Sequence, residues 1–440
     1  MPNNLDKKIF KKFDQIAKEK EKNILHSAIF KNGVQKIAFK NESLINMQHV
    51  FSEDIVTGKI TAQNSSGRCW LFAAANVLRE QTSKKLKYED FELSQTYLMF
   101  YDKLEKANYF LESIIKTVDE DIYSRIVMFL LSIPMNDGGQ WDMFVNLHEK
   151  YGSVPKHIMP ESFHSSNSAV MNNLLTVKLR EWASDIREKS SKGYSTAKLR
   201  NLKEKMMEEF YTMLISFLGR PPKKFDFEYR DDDKKFHSHR NLTPLSFAKK
   251  IIPFDPKDYV SIINAPSFDK PFNKTYTVKF LGNVIEGQKV LYLNLSSDEL
   301  RKLSLKQIKN KIPVWFGCDV GKMLDGESGI IDPDIYDYES ALGVKFGLDK
   351  GKRLEYGESL MTHAMVLTGV NVVNGKVNRW KVENSWGEKR GHKGFLNMSD
   401  KWFDEFTYQV VINKKFLTKT QLKKLEQKPI ELEPWDPMGS

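Results

Sequence analysis

The sequence predicts an α+β protein, and three observations support that prediction. Hydrophobic residues make up 40% of its 440 residues, which is enough for a large packed core. In the first half, apolar residues recur at the three- and four-residue steps of helices. Short β-rich segments come later, at 275–280, 289–294, 313–318, 363–370, 378–384 and 408–413. Helices followed by strands is the order of an α+β protein.

Four helical stretches are predicted. Residues 5–24 carry Lys, Glu, Ile, Phe and Leu at helical spacing, and residues 94–132 are mostly helical. The run that begins at Cys69 includes three consecutive alanines, which permit close packing of a buried helix. Residues 174–218 are heavily charged and predict two surface helices that separate near 190–193.

The small number of cysteines and the shortness of the apolar runs bear on where in the cell the protein is expected to lie. The two cysteines, Cys69 and Cys318, are too few for a disulfide framework, and no CxxC pair or Cys/His cluster indicates zinc. Cys318 ends the apolar run 314–318 and is predicted to be a buried core thiol. The N-terminus has no signal-peptide region, and no stretch approaches about 18 consecutive apolar residues. We therefore expect a soluble, cytoplasmic protein without a membrane partner.

The net charge of +11 has two interpretations. A basic protein can attract nucleic acid or acidic peptides. A lysine-rich, solvated surface gives the same net charge. The lysines are spread along the chain rather than grouped in blocks, which favours the solvated surface and leaves nucleic-acid binding as the lesser alternative.

The segment around Cys69 has the features of a nucleophile. Cys69 stands at the start of a predicted helix, whose N-terminus carries a partial positive charge that favours a thiolate. Its backbone N–H is one donor for an oxyanion, and the side-chain amide of Gln63, six residues upstream, is a second. Gly67 lets the chain turn tightly into the helix.

A thiolate needs a base, and His363 at the head of an apolar strand is the candidate. A lone histidine there is more often structural, but a second strand ends in Asn384, followed by Ser, Trp and Gly. The Asn384 amide oxygen can accept one ring N–H and direct the other ring nitrogen toward the thiolate. Trp386 is expected to cover that hydrogen bond, and we count it among the substrate-binding residues.

Taken in order, Gln-x5-Cys-Trp, His-Ala and Asn-Ser-Trp-Gly resemble the papain superfamily. The fuller resemblance is to the bleomycin hydrolase / aminopeptidase C family and covers essentially the whole chain. It rests on the segments 66–73 (SGRCWLFA), 137–140 (DGGQ), 149–155 (EKYGSVP), 225–237 (FDFEYRDDDKKFH) and 434–439 (PWDPMG).

The resemblance implies a papain-like cysteine peptidase core, with a helical half, a β-barrel-like half and helical insertions. It also implies a homohexameric ring whose active sites face an inner cavity, and a C-terminal tail lying along each cleft. Five segments are expected: an N-terminal helical or extended segment (1–60), the helical half with Cys69 (61–140), a helical insertion with oligomer contacts (141–260), the β-rich half with His363 and Asn384 (261–428), and the tail (429–440).

Three further features carry expectations, and two of them concern substrate binding. Gly138 and Gly139 resemble the glycine pair that contacts an extended substrate through its backbone, since missing Cβ atoms permit close approach; an ordinary turn is the alternative. The charge run 228–235 has balanced signs and no nucleophile, so a structural or subunit-contact role is expected. In the family that the chain resembles, the terminal carboxylate meets the substrate's free amino group. The resemblance therefore implies this role for Ser440, in a tail that is shorter than in many relatives.

These residues predict hydrolysis of short peptides through a thioester, and the resemblance implies release of N-terminal residues. Cys69 is the nucleophile, His363 the acid and base, and Asn384 the orienting residue, and neither a metal nor an organic cofactor is expected. The short tail leaves an oligoendopeptidase with the same chemistry as an alternative. A basic nucleic-acid-binding ring with secondary peptidase activity is the lesser alternative.

Overall fold

A computed structural model describes residues 4–16 and 20–439. The N-terminal segment consists of short helices and one short strand that leads toward the β-rich half. The helix predicted over 5–24 is divided, and residues 17–19 lie outside the described part of the chain. The elements are α1 (Lys7–Ile16), α2 (Lys20–Asn32), α3 (Val34–Ala38), α4 (Asn41–Asn46) and β1 (Glu53–Asp54).

The helical half is built around a central helix that is buried on nearly all sides. This helix starts at Cys69, and its three alanines allow neighbouring helices to pack closely against it. The Ser94 side chain starts the next helix by accepting the backbone N–H of Tyr97 at 3.1 Å. The elements are α5 (Cys69–Leu86), α6 (Gln95–Lys116), α7 (Arg125–Ser132) and α8 (Trp141–Tyr151).

Residues 169–242 contain a helical hairpin followed by a β-hairpin. The two predicted helices are present, and Gly193 lies between them at φ 82°, in the left-handed region that favours glycine. The range 141–260, expected to be helical, also contains two antiparallel strands. The elements are α9 (Phe163–Ser166), α10 (Ala169–Ser191), α11 (Thr196–Leu218), β2 (Phe225–Arg230), β3 (Phe236–Leu242) and α12 (Pro244–Ile251).

The β-rich half forms one mixed sheet of twelve strands, which confirms the α+β prediction. The strand order is β14-β5-β6-β4-β13-β7-β10-β11-β12-β9-β8, with β1 added beside β10. The strands are β4 (Tyr259–Ile263), β5 (Thr275–Val278), β6 (Tyr292–Asn294), β7 (Val314–Cys318), β8 (Leu324–Asp325), β9 (Ile330–Ile331), β10 (His363–Val373), β11 (Lys376–Glu383), β12 (Phe395–Ser399), β13 (Thr407–Asn413) and β14 (Ile430–Leu432).

Helices cover parts of this sheet, and two large clusters of buried apolar side chains form the core. Packing of α5 against β10 brings the start of the central helix to the start of a central strand. Over the described ranges, no helix combines the length and apolar composition needed to cross a bilayer. The remaining helices are α13 (Ser297–Lys309), α14 (Tyr338–Leu342), α15 (Lys350–Glu355), α16 (Asp400–Phe406) and α17 (Lys419–Leu425).

Candidate active site

Cys69 is the first residue of α5, and only 9% of its surface is exposed. The loop that precedes it is held at two points. The backbone N–H of Gly67 donates to Oδ2 of Asp137 at 2.9 Å, and the fully buried Arg68 guanidinium pairs with Glu161 at 2.8 Å. Because the first N–H groups of a helix have no intrahelical acceptor, this position favours an anion such as a thiolate.

His363 and Asn384 meet at the ends of neighbouring antiparallel strands. Nε2 of His363 lies 2.9 Å from Oδ1 of Asn384. The same oxygen accepts the backbone N–H of Ser385 at 2.7 Å, and since a backbone N–H can only donate, the atom facing both groups must be the amide oxygen. Nε2 therefore carries a proton, and Nδ1 is the nitrogen left for Cys69.

Cys69 and His363 form a hydrogen bond, and each shifts the pKa of the other. Burial alone would raise the pKa of the Cys69 thiol, but the charge and hydrogen bond of His363 outweigh burial and lower it. Burial would lower the pKa of His363, whereas the charge and hydrogen bond of Cys69, together with the bond to Asn384, raise it. The opposite shifts favour a thiolate–imidazolium pair.

Trp386 lies against the catalytic candidates from one side. Its indole and the imidazole of His363 have ring centres 4.9 Å apart and an interplanar angle of 35°. The side chain is half-buried, and the Arg390 guanidinium lies 5.2 Å from its ring centre. A backbone bridge joins Trp386 to Ala62. The indole therefore screens one side of the histidine ring from water, and its contact with substrate remains a prediction.

Gln63 is fixed by hydrogen bonds of both its backbone and its side chain. Its backbone N–H donates to the Ser385 carbonyl at 2.8 Å, and its Oε1 accepts the Ser385 hydroxyl at 2.7 Å. Its Nε2 donates to the Ser66 carbonyl at 2.6 Å. An amide nitrogen carries two hydrogens, so one is left after the bond to Ser66. Gln63 thus links the loop before Cys69 to the residue after Asn384.

Gly138 and Gly139 differ in what surrounds them. A Cβ at Gly139 would lie 2.7 Å from the indole of Trp70, whereas the nearest atom to a Cβ at Gly138 is the Asn136 side-chain oxygen at 4.0 Å. Packing on Trp70 therefore requires the glycine at 139. Gly138 is exposed, and its carbonyl accepts a hydrogen bond from the Lys106 ammonium at 2.5 Å. Substrate contact by both glycines remains a prediction.

The C-terminal segment reaches the cavity that both glycines line. After β14 the chain forms a 3₁₀ turn over Pro437–Gly439, in which Met438 is fully buried and its carbonyl accepts the Tyr292 hydroxyl at 3.1 Å. A cavity of about 490 Å³ is lined by Gly138, Gly139 and Gly439, among other residues. Ser440, which is predicted to meet the substrate, lies outside the described residues.

Cys318 lies in the strand next to His363 and directly opposite it in the register. It is fully buried, and burial raises the pKa of its thiol well above the usual value, so the prediction of a buried core thiol is confirmed. Within residues 4–16 and 20–439, no group of three or more His, Cys, Asp or Glu side chains is arranged to hold a metal ion.

Three residues at the site make contacts that the motifs do not predict. Ser385, inside the Asn-Ser-Trp-Gly motif, bonds both Gln63 and Asn384. The Asp137 carboxylate holds the loop before Cys69, whereas the motif predicted a role only for the two glycines that follow it. Glu383 is buried and paired with Arg79 at 2.7 Å. The sequence signal for the Arg79–Glu383 pair was an acidic residue at the buried end of a strand, because a buried charge needs a partner of opposite charge.

Known proteins resemble this chain over nearly its whole length. The Peptidase C1-like family model matches residues 4–439. Aminopeptidase C of Listeria monocytogenes is 50% identical over 420 residues, covering 96% of this chain and 95% of the relative. Bleomycin hydrolase of Rattus norvegicus is 43% identical over 414 residues, covering 92% and 91%. The crystal structure of PepW from Lactobacillus rhamnosis has a TM-score of 0.99 at 48% identity, covering 100% of both chains. The resemblance predicted from the motifs is confirmed: the chain belongs to the Peptidase C1-like family.

Proposed function

We propose that the protein is a cysteine aminopeptidase that hydrolyses short peptides. The observation that carries the proposal is the hydrogen-bonded series Cys69, His363 and Asn384, in which the thiol pKa is lowered and the imidazole pKa is raised. Relatives named aminopeptidase C, 50% and 46% identical to this chain, support the same activity. Their names favour an aminopeptidase over the oligoendopeptidase and nucleic-acid-binding alternatives.

The first chemical step forms a thioester. The Cys69 thiolate attacks the scissile carbonyl carbon, and the carbonyl electrons move to oxygen. As the tetrahedral intermediate collapses, the carbon–nitrogen bond breaks and the leaving amine takes the proton from Nδ1 of His363. Asn384 holds the ring through Nε2, so Nδ1 faces the reacting atoms throughout the step.

The second step releases the N-terminal residue. Neutral His363 takes a proton from water, the resulting hydroxide adds to the thioester carbon, and the sulfur–carbon bond breaks to restore the thiolate. In both steps the oxygen of the tetrahedral intermediate carries negative charge. The Cys69 backbone N–H and the second Nε2 hydrogen of Gln63 are the proposed donors to it.

The amino-terminal end of the substrate is proposed to lie beside the C-terminal segment. Gly439 lines the same cavity as Gly138 and Gly139, which supports a substrate running between the glycines and the tail. A carboxylate at Ser440 would favour a protonated peptide N-terminus through a charge-assisted hydrogen bond. Occupancy of the cavity by the tail would exclude longer chains on that side.

Assembly into a homohexamer in the cytoplasm is the accompanying proposal, and the family resemblance is its source. Large apolar side chains that lie exposed in the single chain support an additional contact surface, including Phe30 at 94% and Phe163 at 74% exposure. Light scattering after size-exclusion chromatography tests the assembly. A mass near six times 51.1 kDa is expected, whereas a monomer over the working concentration range contradicts it.

The activity is tested with one aminoacyl-amide substrate and its N-acetylated form. The wild type should cleave the free amine with the higher kcat/KM. Asn384→Ala should lower the rate less than Cys69→Ser, because Asn384 orients the ring and Cys69 reacts. Preference for the acetylated substrate contradicts the aminopeptidase assignment. Equal inactivity of the two folded variants contradicts the orienting role.

A further inference from the structure

The Asp137 carboxylate accepts hydrogen bonds from four donors on three separate segments of the chain. Oδ2 accepts the backbone N–H of Gly67 at 2.9 Å and the hydroxyl of Ser168. Oδ1 accepts the Lys103 ammonium at 2.6 Å and the side-chain amide of Asn172 at 2.8 Å. The Asp137 side chain is 7% exposed and that of Lys103 is fully buried. A neutral side chain of this size offers fewer acceptor sites, so the carboxylate is specifically suited to this position.

The backbone around Asp137 is held as firmly as its side chain. Its carbonyl accepts the indole N–H of Trp70 at 2.6 Å, and the next carbonyl, that of Gly138, accepts the Lys106 ammonium at 2.5 Å. Trp70 follows Cys69 in α5, and its ring fills the space beside Gly139. The Gly138–Gly139 segment is therefore fixed relative to the first turn of α5, which begins at Cys69.

The Gly67 bond matters because both proposed oxyanion donors depend on the same loop. The Cys69 N–H lies two residues further along the chain, and Gln63 is held through the carbonyl of Ser66, the residue before Gly67. A shift of this loop would move both donors away from the oxygen that they stabilise. Burial would raise the pKa of the Asp137 carboxyl, but Lys103 first, and then Ser168 and Gly67, hold it well below its usual value. The carboxylate thus stays ionised across the working pH range.

We infer that Asp137 is a positioning residue that holds the loop before Cys69 (residues 63–68) and the Gly138–Gly139 segment in one fixed alignment. The inference rests on the proposed function. Asp137 supports the step in which negative charge develops on the substrate oxygen, and it leaves formation of the thiolate to His363 and Asn384. Loss of the carboxylate should therefore affect transition-state stabilisation while the reactivity of Cys69 toward a simple electrophile persists.

Asp137→Asn separates these two effects. All four neighbours donate, and the new amide has one oxygen and an NH₂ group, so it must oppose at least one donor. The Lys103 charge attracts the oxygen, which leaves the NH₂ facing the Gly67 N–H. We expect kcat/KM to fall about 100-fold, as for a misplaced catalytic group. Affinity for a peptide aldehyde, which forms a tetrahedral hemithioacetal on Cys69 with its oxygen in the place of the oxyanion, should fall in the same direction. The rate of Cys69 alkylation by iodoacetamide should stay within about twofold.

Glu112→Gln is the matched control. Like Asp137, Glu112 is a buried carboxylate with cationic partners, and it lies on α6. It pairs with Arg200 and Lys203 of α11, so its ion pairs do not reach the loop before Cys69 or the two glycines. It should lose stability and keep kcat/KM and aldehyde affinity within about twofold. If Asp137→Asn does not fold, Asp137→Ala with Lys103→Met removes both charges together. The double variant leaves no buried ammonium without a counter-charge at position 103. We expect its kcat/KM to show the same 100-fold loss, to about 1% of the wild-type value.

Folded fractions are measured by near-ultraviolet circular dichroism before each assay. Unchanged kcat/KM and aldehyde affinity in a folded Asp137 variant overturn the inference. So does an equal loss in Glu112→Gln, because the effect would then be general destabilisation. Full activity of Cys69→Ser would refute the proposed function and the inference with it, whereas unchanged kcat/KM in a folded Asp137 variant refutes only the inference.

Discussion

Arg79 and Glu383 form a buried ion pair, with Nη2 2.7 Å from Oε1 and side chains that are 3% and 0% exposed. Arg79 lies in the helix that begins at Cys69, and Glu383 is the residue before Asn384. The side-chain amide of Asn76 donates to the same carboxylate oxygen at 2.8 Å. The ion pair therefore fixes the helix that begins at Cys69 to the strand that precedes Asn384.

Arg79→Met should destabilise the protein by about 3–5 kcal/mol, because it leaves the Glu383 charge buried without its cation. Unfolding by urea, followed by circular dichroism, measures the change. Lys59→Met is the control, since Lys59 pairs with Asp90 on the surface, where the side chains are 76% and 58% exposed. The control should cost less than about 1 kcal/mol. If both variants lose the same free energy of unfolding, burial does not account for the stabilisation by the Arg79–Glu383 pair.

The two cysteines should respond differently to serine. Cys69→Ser should lower kcat/KM by several orders of magnitude, because a hydroxyl in that position is not ionised by the histidine. Cys318→Ser should keep activity and cost about 1–3 kcal/mol, since it places a hydroxyl at a fully buried position. Hydrolysis of an aminoacyl-amide and thermal unfolding measure the two effects. If the Cys69→Ser variant kept a tenth of the wild-type rate, the assignment of Cys69 as the nucleophile would be wrong.

The pH dependence of kcat/KM should be bell-shaped. The pKa of Cys69 is lowered and that of His363 raised, so the thiolate–imidazolium pair exists between the two limbs. Rates fall below the acid limb as the thiolate is protonated, and above the alkaline limb as His363 loses the proton needed by the leaving amine. The apparent values belong to the coupled pair.

Asn384→Ala should shift the alkaline limb of the pH profile of kcat/KM. The bond to Asn384 helps to raise the pKa of His363, so its removal should move the alkaline limb to lower pH. The profile is measured in overlapping buffers at constant ionic strength. An alkaline limb that stays in place, or moves to higher pH, contradicts the contribution of Asn384 to the imidazolium.

Local patterns predicted the elements that carry the candidate site, because a helix N-terminus at Cys69 and strand ends at His363 and Asn384 are short-range features. Arg79 and Glu383 lie 304 positions apart, and which charges meet at that separation depends on tertiary packing. The hairpin formed by β2 and β3 was not predicted because charged residues interrupt it. The aromatic residues Phe225, Phe227 and Tyr229 do alternate with period two, which was the available signal.

Alanine substitutions at Gly138 and Gly139 should separate the effect of packing on stability from the effect of substrate contact on KM. Gly139→Ala places a methyl group 2.7 Å from the Trp70 ring and should cost about 1–3 kcal/mol of stability together with activity. Gly138→Ala meets no atom nearer than 4.0 Å and should leave stability within about 0.5 kcal/mol while raising KM, if substrate lies there. Unchanged KM in Gly138→Ala would place the substrate elsewhere.

The C-terminal segment is anchored by contacts that differ in kind. The Trp435 ring centre lies 3.8 Å from the Arg125 guanidinium carbon, and Asp436 pairs with Lys270 at 2.7 Å. Met438 is fully buried. Two prolines limit the unfolded states of the segment and so lower the entropy lost when these contacts order it. The segment is thus suited to act as a fixed wall of the cavity.

Removal of residues 435–440 should therefore raise cleavage of N-blocked peptides relative to free-amine peptides. The truncation leaves Lys270 without its Asp436 partner, so Lys270→Met is introduced in the same chain to avoid a buried charge that has lost this carboxylate. The measurement is the ratio of kcat/KM for a free and an acetylated peptide of one sequence. Because both peptides are assayed on one preparation, the ratio does not depend on the folded fraction. Loss of a charge-assisted hydrogen bond should lower the ratio about 10- to 100-fold. Lys270→Met alone should keep the wild-type ratio, since the tail remains. An unchanged ratio in the truncated protein would show that residues 435–440 do not select the peptide N-terminus.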